Sequence, residues 1–521
     1  MSIAAVSVKK RLLVAVGSNG VRAALSFATG LLIARALLPA AYGDLMYLLA
    51  SFIAIRPLLD LGGATAFFTF LSQRARGPRF YLRYFAWLGL QFTVALLLVA
   101  VLIPDDVFAR IWLGYDRGIV VLACVAAFLQ QQVWQTVGQI GEASRNTVRV
   151  QLLNMIVAVC YLVAVAVLAG AGAMSVTRVL WILVVQYTVV TLFALRYLRH
   201  SVQGEDDATP LAAALLEYWV YCKPLIALSI ISFMFDFLDK WLLQRFGGAA
   251  QQGFFQIASQ FSAISLLATA SILNIFWKEV AAAWAERDFE RVALLYRRVN
   301  RGLVMLGAAA TGLLMPWARE IVTVVLGPSY LQAWPVLAIM LLYPIHQSMG
   351  QIGGTMLYAS GQTKKYMWVS AAVMLLSIPI SYLMLAPRSG VLIPGLGLEA
   401  IGMAFKMVLV GVISVNIQAW VIARACGWKL DWQFQLVGIS ALIGAGYLAK
   451  LVVTTLWPIA ALSAGALLVP VMATAFLYVC FVIVIICALP WLIGMERAEL
   501  SSAVVKLRKL VKPRNGIQAC D

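Results

Sequence analysis

The chain has 521 residues, 63% of them hydrophobic and only 12% charged, where soluble domains average about 45–50% and about 25%. The apolar residues gather in runs of the roughly 20 needed to cross a bilayer, which excludes an ordinary soluble multidomain protein. The net charge of +18 does not point to nucleic acid, because most Lys and Arg lie in short loops between those runs. There they read as topology determinants with some attraction to anionic lipid.

Fourteen spans are predicted, centred near Ala24, Arg56, Gln91, Ala127, Val159, Val185, Phe233, Leu266, Ala309, Gly350, Leu376, Val410, Gly444 and Tyr478. The first run, from about Leu12 to Leu37, is too long for a signal-peptide core and lacks a small-residue cleavage site, so it is expected to be retained as a span. Breaks fall at Leu38-Pro39, Pro104-Asp105, Gly327-Pro328 and Ala386-Pro387, where the pre-proline residue disfavours helix. Of the 40 Lys and Arg, 28 fall on one side of the alternating loops. That bias places both termini in the cytoplasm and requires an even number of spans.

The longest internal polar connection, Arg199 to about Leu216, contains Gly204-Glu205-Asp206-Asp207. It divides the chain into an N-terminal lobe (1–200, spans 1–6), a cytoplasmic linker (201–217) and a C-terminal lobe (218–430, spans 7–12). Two additional spans (431–493) and a basic cytoplasmic tail (494–521) follow. The second lobe reads as a restart. Ala34-Arg35 through Tyr42-Gly43 resembles Gln244-Arg245 through Gln252-Gly253, with the same Arg-to-Gly spacing. Transporters are often built from such repeats. Lys278–Arg301 carries apolar residues at Ala281, Trp284, Phe289, Val292 and Tyr296, and is expected to form one amphipathic helix on the inner leaflet.

Charged residues inside the spans carry the functional signal, since each costs about 2.5–3.5 kcal/mol at the bilayer centre on insertion scales. Arg22 and Arg56 lie in consecutive antiparallel spans joined by a short loop, so both reach the same depth. Two guanidinium forks suit a diphosphate. Asp60 lies one turn after Arg56, which leaves a structural ion pair as the other reading. Asp236, Asp239 and Lys240 share a stretch of span seven. Its carboxylates are candidates for carrying protons or ligating Na⁺, or else Asp239-Lys240 only pins a helix end at the outer interface. Lys406 stands alone in span twelve and either completes a cationic cavity or pairs with a carboxylate from another helix. Gln131 and Gln135 in span four and Gln347 and Gln351 in span ten form polar stripes suited to sugar hydroxyls or to helix–helix hydrogen bonds.

The seven cysteines show no close pairing and there are only two histidines, so neither a disulfide framework nor a His-based metal site is expected. No phosphate loop, nucleophile elbow or Cys/His set is visible, and no cofactor or enzymatic activity is expected.

Several motifs, in this order, resemble one family. Ala34-Arg35-Ala36-Leu37-Leu38-Pro39-Ala40-Ala41-Tyr42-Gly43 is similar to the first loop of the polysaccharide flippases, and Asp60-Leu61-Gly62-Gly63 to the end of their second span. Asp239-Lys240-Trp241-Leu242-Leu243 followed by Gly253 is similar to the start of their second lobe. Gly327-Pro328-Ser329-Tyr330 and Tyr358-Ala359-Ser360-Gly361-Gln362-Thr363-Lys364-Lys365 resemble the surroundings of their tenth span. The resemblance runs from about residue 10 to 430. Leu38 stands where the family usually has Gly, and Arg56 is not a general feature of the family.

That resemblance implies the multidrug/oligosaccharidyl-lipid/polysaccharide exporter (MOP) superfamily. The expected fold is an all-α polytopic membrane protein with about 14 transmembrane helices in two pseudo-symmetric lobes, V-shaped and working by alternating access. It implies a flippase moving undecaprenyl-diphosphate-linked oligosaccharides across the bacterial inner membrane, for O-antigen or exopolysaccharide production. The expected partners are the lipid-linked substrate, membrane lipids and polysaccharide polymerase or export proteins. The related lipid II flippases also use cavity arginines in their first two spans. On this reading Arg22, Arg56 and Lys406 bind the diphosphate, and Gln131, Gln135, Gln347 and Gln351 meet sugar. Asp60, Asp236 and Asp239 are the candidates for H⁺ or Na⁺ coupling. A lipid II-type flippase is an alternative, as is a cation-coupled multidrug exporter, although the basic mid-span residues disfavour cationic substrates. A membrane glycosyltransferase would need a large aqueous loop, which the chain lacks.

Overall fold

The computed structural model describes residues 8–74, 76–144, 146–198, 210–265, 267–457 and 466–499. Among them every regular element is helical. The expected eighth centre, Leu266, lies outside the described residues, as do 201–209 of the linker and the tail beyond Glu499.

In chain order the helices begin with α1 (Val8–Asp60), α2 (Gly63–Gln73), α3 (Pro78–Leu97), α4 (Asp105–Ile111), α5 (Arg117–Phe128) and α6 (Trp134–Ala143). They continue with α7 (Thr147–Gly170), α8 (Val176–Leu198), α9 (Leu211–Gly247), α10 (Ala249–Ser265), α11 (Leu267–Ala285), α12 (Phe289–Leu314) and α13 (Ala318–Leu326). The last are α14 (Trp334–Met340), α15 (Tyr343–Ala359), α16 (Thr363–Leu385), α17 (Glu399–Cys426), α18 (Gln433–Leu456) and α19 (Leu468–Ala488).

Among the described residues, ten stretches are long and apolar enough to cross a membrane, and an eleventh is formed by the two arms of α9, bent by 55°. One of the ten, Gly17–Asp60, has 44 residues. A straight helix of that length would run about 66 Å, twice the roughly 30 Å hydrocarbon core. Its helical dihedrals break at Leu38 (φ 66°, ψ 167°), so it is two arms joined at a turn. With α10–α11 and α14–α15 each grouped as one crossing, the fourteen expected spans are accounted for. Apolar side chains such as Val167, Leu192, Phe476 and Val484 are exposed on the outer faces, as a lipid-facing surface requires. The chain is a multi-pass membrane protein.

The Lys278–Arg301 expectation is corrected. The segment is a helical hairpin: α11 ends at Ala285, Arg287 turns at φ 58°, and the Asp288 side chain caps α12 by accepting from the Arg291 N–H at 3.0 Å. Val280, Ala283 and Val292 are buried in a shared core with Phe276 and Met356. They pack inward against neighbouring helices, while Phe289 at the hairpin stays exposed.

The repeat noticed in sequence is visible in the backbone. Leu38 lies three residues after Arg35, and Gly248 (φ 81°, ψ 177°) three after Arg245. Both occupy the same region, which is nearly reserved for glycine. The two turns pack reciprocally. A Cβ on Gly43 would meet the Ala249 carbonyl oxygen at 1.8 Å, and one on Gly253 would meet the Pro39 carbonyl oxygen at 2.3 Å. Each glycine thus lets its backbone approach the residue that matches the other's partner. Tyr330, fully buried, donates to the Ala34 carbonyl at 2.9 Å beside them.

Contacts divide the chain into two compact units whose segments interleave. The first comprises Met1–Ile264, Val325–Leu337 and Ser370–Met407. The second comprises Ser265–Val324, Ala338–Val369 and Val408–Asp521. In the first unit a polar knot ties the α1 turn to α9. Tyr115 donates to Asp44, and Gln244 Nε2 donates to the Tyr115 hydroxyl at 2.8 Å. Burial and then the Asp44 carboxylate hold the Tyr115 phenol above its ordinary pKa, so it stays a donor. In the second unit α12 and α18 cross so closely that a Cβ on Gly446 would lie 1.8 Å from the Gly312 carbonyl oxygen. Arg301 binds one Asp431 carboxylate oxygen through Nε at 2.9 Å and Nη2 at 2.6 Å. Lys450 binds Glu320 at 2.7 Å.

Candidate functional site

Arg22 and Arg56 sit on the two arms of α1, sixteen residues before Leu38 and eighteen after it. At 1.5 Å per residue they lie about 24 and about 27 Å along their arms from the turn. Arg22 is exposed on its arm and Arg56 half-buried. Among the described residues neither has a carboxylate within the 4.0 Å of an ion pair. An exposed guanidinium within an apolar span is tolerated against water, a polar ligand or the membrane interface, not against lipid tails.

The fourth span sends side chains toward both arginines. Between α5 and α6 the chain forms a π-helical turn, Leu129–Val133, a feature frequent at functional sites. It sends its glutamines two ways. Gln130 Nε2 donates to the Tyr187 hydroxyl at 3.2 Å, and Arg22 stands within electrostatic reach of that hydroxyl. Gln132 Nε2 reaches Gln91 Oε1 at 3.5 Å. Gln91 stands beside Asp60, which in turn feels Arg56. On the Arg22 side, Ser18 Oγ donates to Gln151 Oε1 at 3.3 Å.

Asp60 is buried, and both of its oxygens accept the Ala64 N–H, at 2.9 and 3.1 Å. It caps α2 across the Leu61–Gly62 break, where both residues have positive φ. This end of the network opens on a cavity of about 300 Å³ lined by Asp60, Arg76, Arg83, Tyr84, Trp87 and Tyr218.

The second constellation is separate. Asp239 lies nine residues, about 13 Å, before the Gly248 turn. It is 4% exposed, and Lys406 of α17 is 0% exposed. The two form an ion pair, and Ser381 of α16 donates to the other carboxylate oxygen at 2.5 Å. The Lys406 ammonium also stands 4.7 Å from the centre of the Phe235 ring. Of the two readings of Lys406, the structure therefore shows the pair. Asp239 is buried well inside α9, away from a helix-end surface. Asp236 is half-buried on the next turn, and Lys240 donates to its backbone carbonyl at 2.9 Å.

Gln131 is half-buried and Gln135 exposed. In the second unit Gln347 accepts from the Tyr343 hydroxyl at 3.0 Å, and Gln351 is half-buried with its backbone carbonyl accepting from Thr355. Sequence reasoning missed the roles of Gln91 and Tyr187, and among the span-four glutamines it singled out Gln131 and Gln135 rather than Gln130 and Gln132. A 3.6-residue period places Gln131, Gln135 and Gln139 in one stripe, and the π-turn shifts that register.

The arrangement of helices is similar to that of several solved membrane transporters. The chain is similar to the lipid II flippase MurJ in an inward closed conformation, with TM-score 0.67 and 11% identity over 91% of this chain and 98% of that one. It is similar to an inward-facing multidrug resistance MATE-family transporter, with TM-score 0.59 and 15% identity over 78% and 95% of the two chains. A MOP-superfamily transporter from Pyrococcus furiosus, described for the reverse polarity of its binding pocket, gives TM-score 0.53 and 13% identity over 80% and 96%. At these identities the shared property is the fold. No family model matches the chain, and no curated protein matches it in sequence.

Proposed function

We propose that the protein is a flippase that moves undecaprenyl-diphosphate-linked oligosaccharide repeat units across the bacterial inner membrane by alternating access, without chemistry on its substrate. One observation carries the reading: Arg22 is an exposed guanidinium within an apolar span, with no carboxylate partner among the described residues, and Arg56 lies at a similar distance along the second arm from the shared turn. A diphosphate is the ligand class whose charge and geometry match two guanidinium forks. Gln130 and Tyr187, with Gln131 and the exposed Gln135, offer neutral hydrogen bonds to sugar hydroxyls near the Arg22 arm, and the lipid tail stays in the bilayer. Gln347 and Gln351 remain candidate sugar contacts on the second unit. Polymerase and export proteins are the proposed neighbours in the cell.

Lys406 takes no part in diphosphate binding on this reading, because its charge is matched by Asp239. Asp60 is committed to capping α2. Asp236 is the remaining coupling candidate, since its carboxylate has neither a hydrogen bond nor an ion pair among the described residues. A cationic drug is a poorer fit than a diphosphate beside Arg22 and Arg56, because neither guanidinium is ion-paired among the described residues. The test is glycan export by cells carrying Arg22→Ala or Arg56→Ala at matched protein level. Export should fall about tenfold or more for each, the scale of one lost charge-assisted hydrogen bond. Undiminished export in both variants would remove the reading.

A further inference from the structure

We infer that the Lys406 ammonium is a tethered cation, permanently filling a site of carboxylate and hydroxyl oxygens that would otherwise take a small monovalent metal ion such as Na⁺. The residues are Asp239 on α9, Ser381 and Ser377 on α16, and Lys406 on α17. All four are buried, with exposures of 4%, 1%, 0% and 0%. Asp239 supplies two oxygens, one held by Lys406 and one by the Ser381 hydroxyl. The Ser377 hydroxyl lies one turn before Ser381 and has no hydrogen-bond partner among the described residues. Hard cations are bound by such carboxylate, hydroxyl and carbonyl oxygens.

A carboxylate taken out of water needs a compensating positive charge, and a transporter can obtain it from solution or from its own chain. Here the chain supplies it. The four charges of the cluster, Asp236, Asp239, Lys240 and Lys406, sum to zero, so a metal ion at Asp239 would introduce an unmatched positive charge beside a fixed ammonium. Na⁺ is therefore shut out of this position, and any Na⁺ requirement of the protein must arise elsewhere. Deleting the Lys406 side chain should open the site: space, a carboxylate and two hydroxyls remain, and Na⁺ can restore the missing charge. The inference concerns ion binding alone and does not rest on the identity of the transported substrate.

The test is thermal unfolding of the full-length purified protein in NaCl and in choline chloride at equal ionic strength. Wild type should unfold at the same temperature in both salts. Lys406→Ala should unfold several degrees lower in choline chloride and recover at least half of that loss in NaCl, saturably. Lys406→Met combined with Asp239→Asn should return toward wild type and ignore the salt. Saturable stabilisation of the wild type by Na⁺ would overturn the inference. So would a Lys406→Ala protein that Na⁺ does not rescue, whether seen as a salt-indifferent unfolding temperature or as loss of folded protein in sodium medium while the double variant folds. Salt-sensitive unfolding with the substrate-export test negative would leave this inference standing and remove only the flippase reading.

Discussion

Arg22 with Arg56 and Lys406 with Asp239 are two ways in which one helical unit handles charge inside a membrane. The arginines lie about 24–27 Å from the α1 turn, Arg22 exposed near neutral Gln130 and Tyr187, Arg56 half-buried one turn before Asp60 with no ion pair among the described residues. The lysine and aspartate lie nearer the opposing turn and are closed off, paired to each other and to Ser381. An unmatched charge is costly unless water or ligand meets it, and a matched one is inert. The difference teaches where function and where cohesion reside: the open pair is built to meet something, and the closed pair holds α9, α16 and α17 together.

The largest expected effect tests the closed pair. Lys406→Met leaves a buried, uncompensated carboxylate and should cost about 3–5 kcal/mol of stability, read by denaturant or thermal unfolding in sodium-free medium. Adding Asp239→Asn should recover most of that loss, since replacing both partners removes the stranded charge. If the double variant is as weak as the single one, the pair is not what the cohesion depends on.

Next in size is the turn that sets the depth of the arginines. Leu38, 55% exposed, is held where its counterpart Gly248 is a glycine. Leu38→Gly should therefore stabilise the protein by about 1–3 kcal/mol, the strain of a non-glycine residue in that region, less about 1 kcal/mol for glycine's extra freedom when unfolded. A raised unfolding temperature would sharpen the comparison. A lowered one would show that Leu38 makes contacts that outweigh its strain.

Much of this was legible in the sequence, for physical reasons that also set its limits. Leu38-Pro39 announces the break in α1, and the matched Arg35–Gly43 and Arg245–Gly253 spacings announce turns that turn out to pack on each other. Lys406 looked solitary because its partner is 167 residues away, and no local periodicity reports such a pair. The glutamines were visible, but a π-turn changes which of them face Tyr187 and Gln91. The hairpin at Glu286-Arg287-Asp288 carries no Gly or Pro, so nothing in composition marks it. The turn is made by Arg287 in a left-handed conformation followed by the Asp288 cap.

The smallest expected stability effect belongs to the open pair. Arg22→Ala should change unfolding free energy by no more than about 0.5 kcal/mol, because no ion pair is lost. A loss as large as that of Lys406→Met would mean that Arg22 is structural and would erase the contrast.

The most direct test of the contrast is equilibrium binding of a polyprenyl diphosphate to the purified protein in nanodiscs, with the corresponding monophosphate as reference. Wild type should prefer the diphosphate. Arg22→Ala and Arg56→Ala should each weaken diphosphate binding about tenfold or more, while the folded Lys406→Met/Asp239→Asn protein binds as wild type does. Equal binding by wild type and both arginine variants, or a loss confined to the Lys406 variant, would contradict the account.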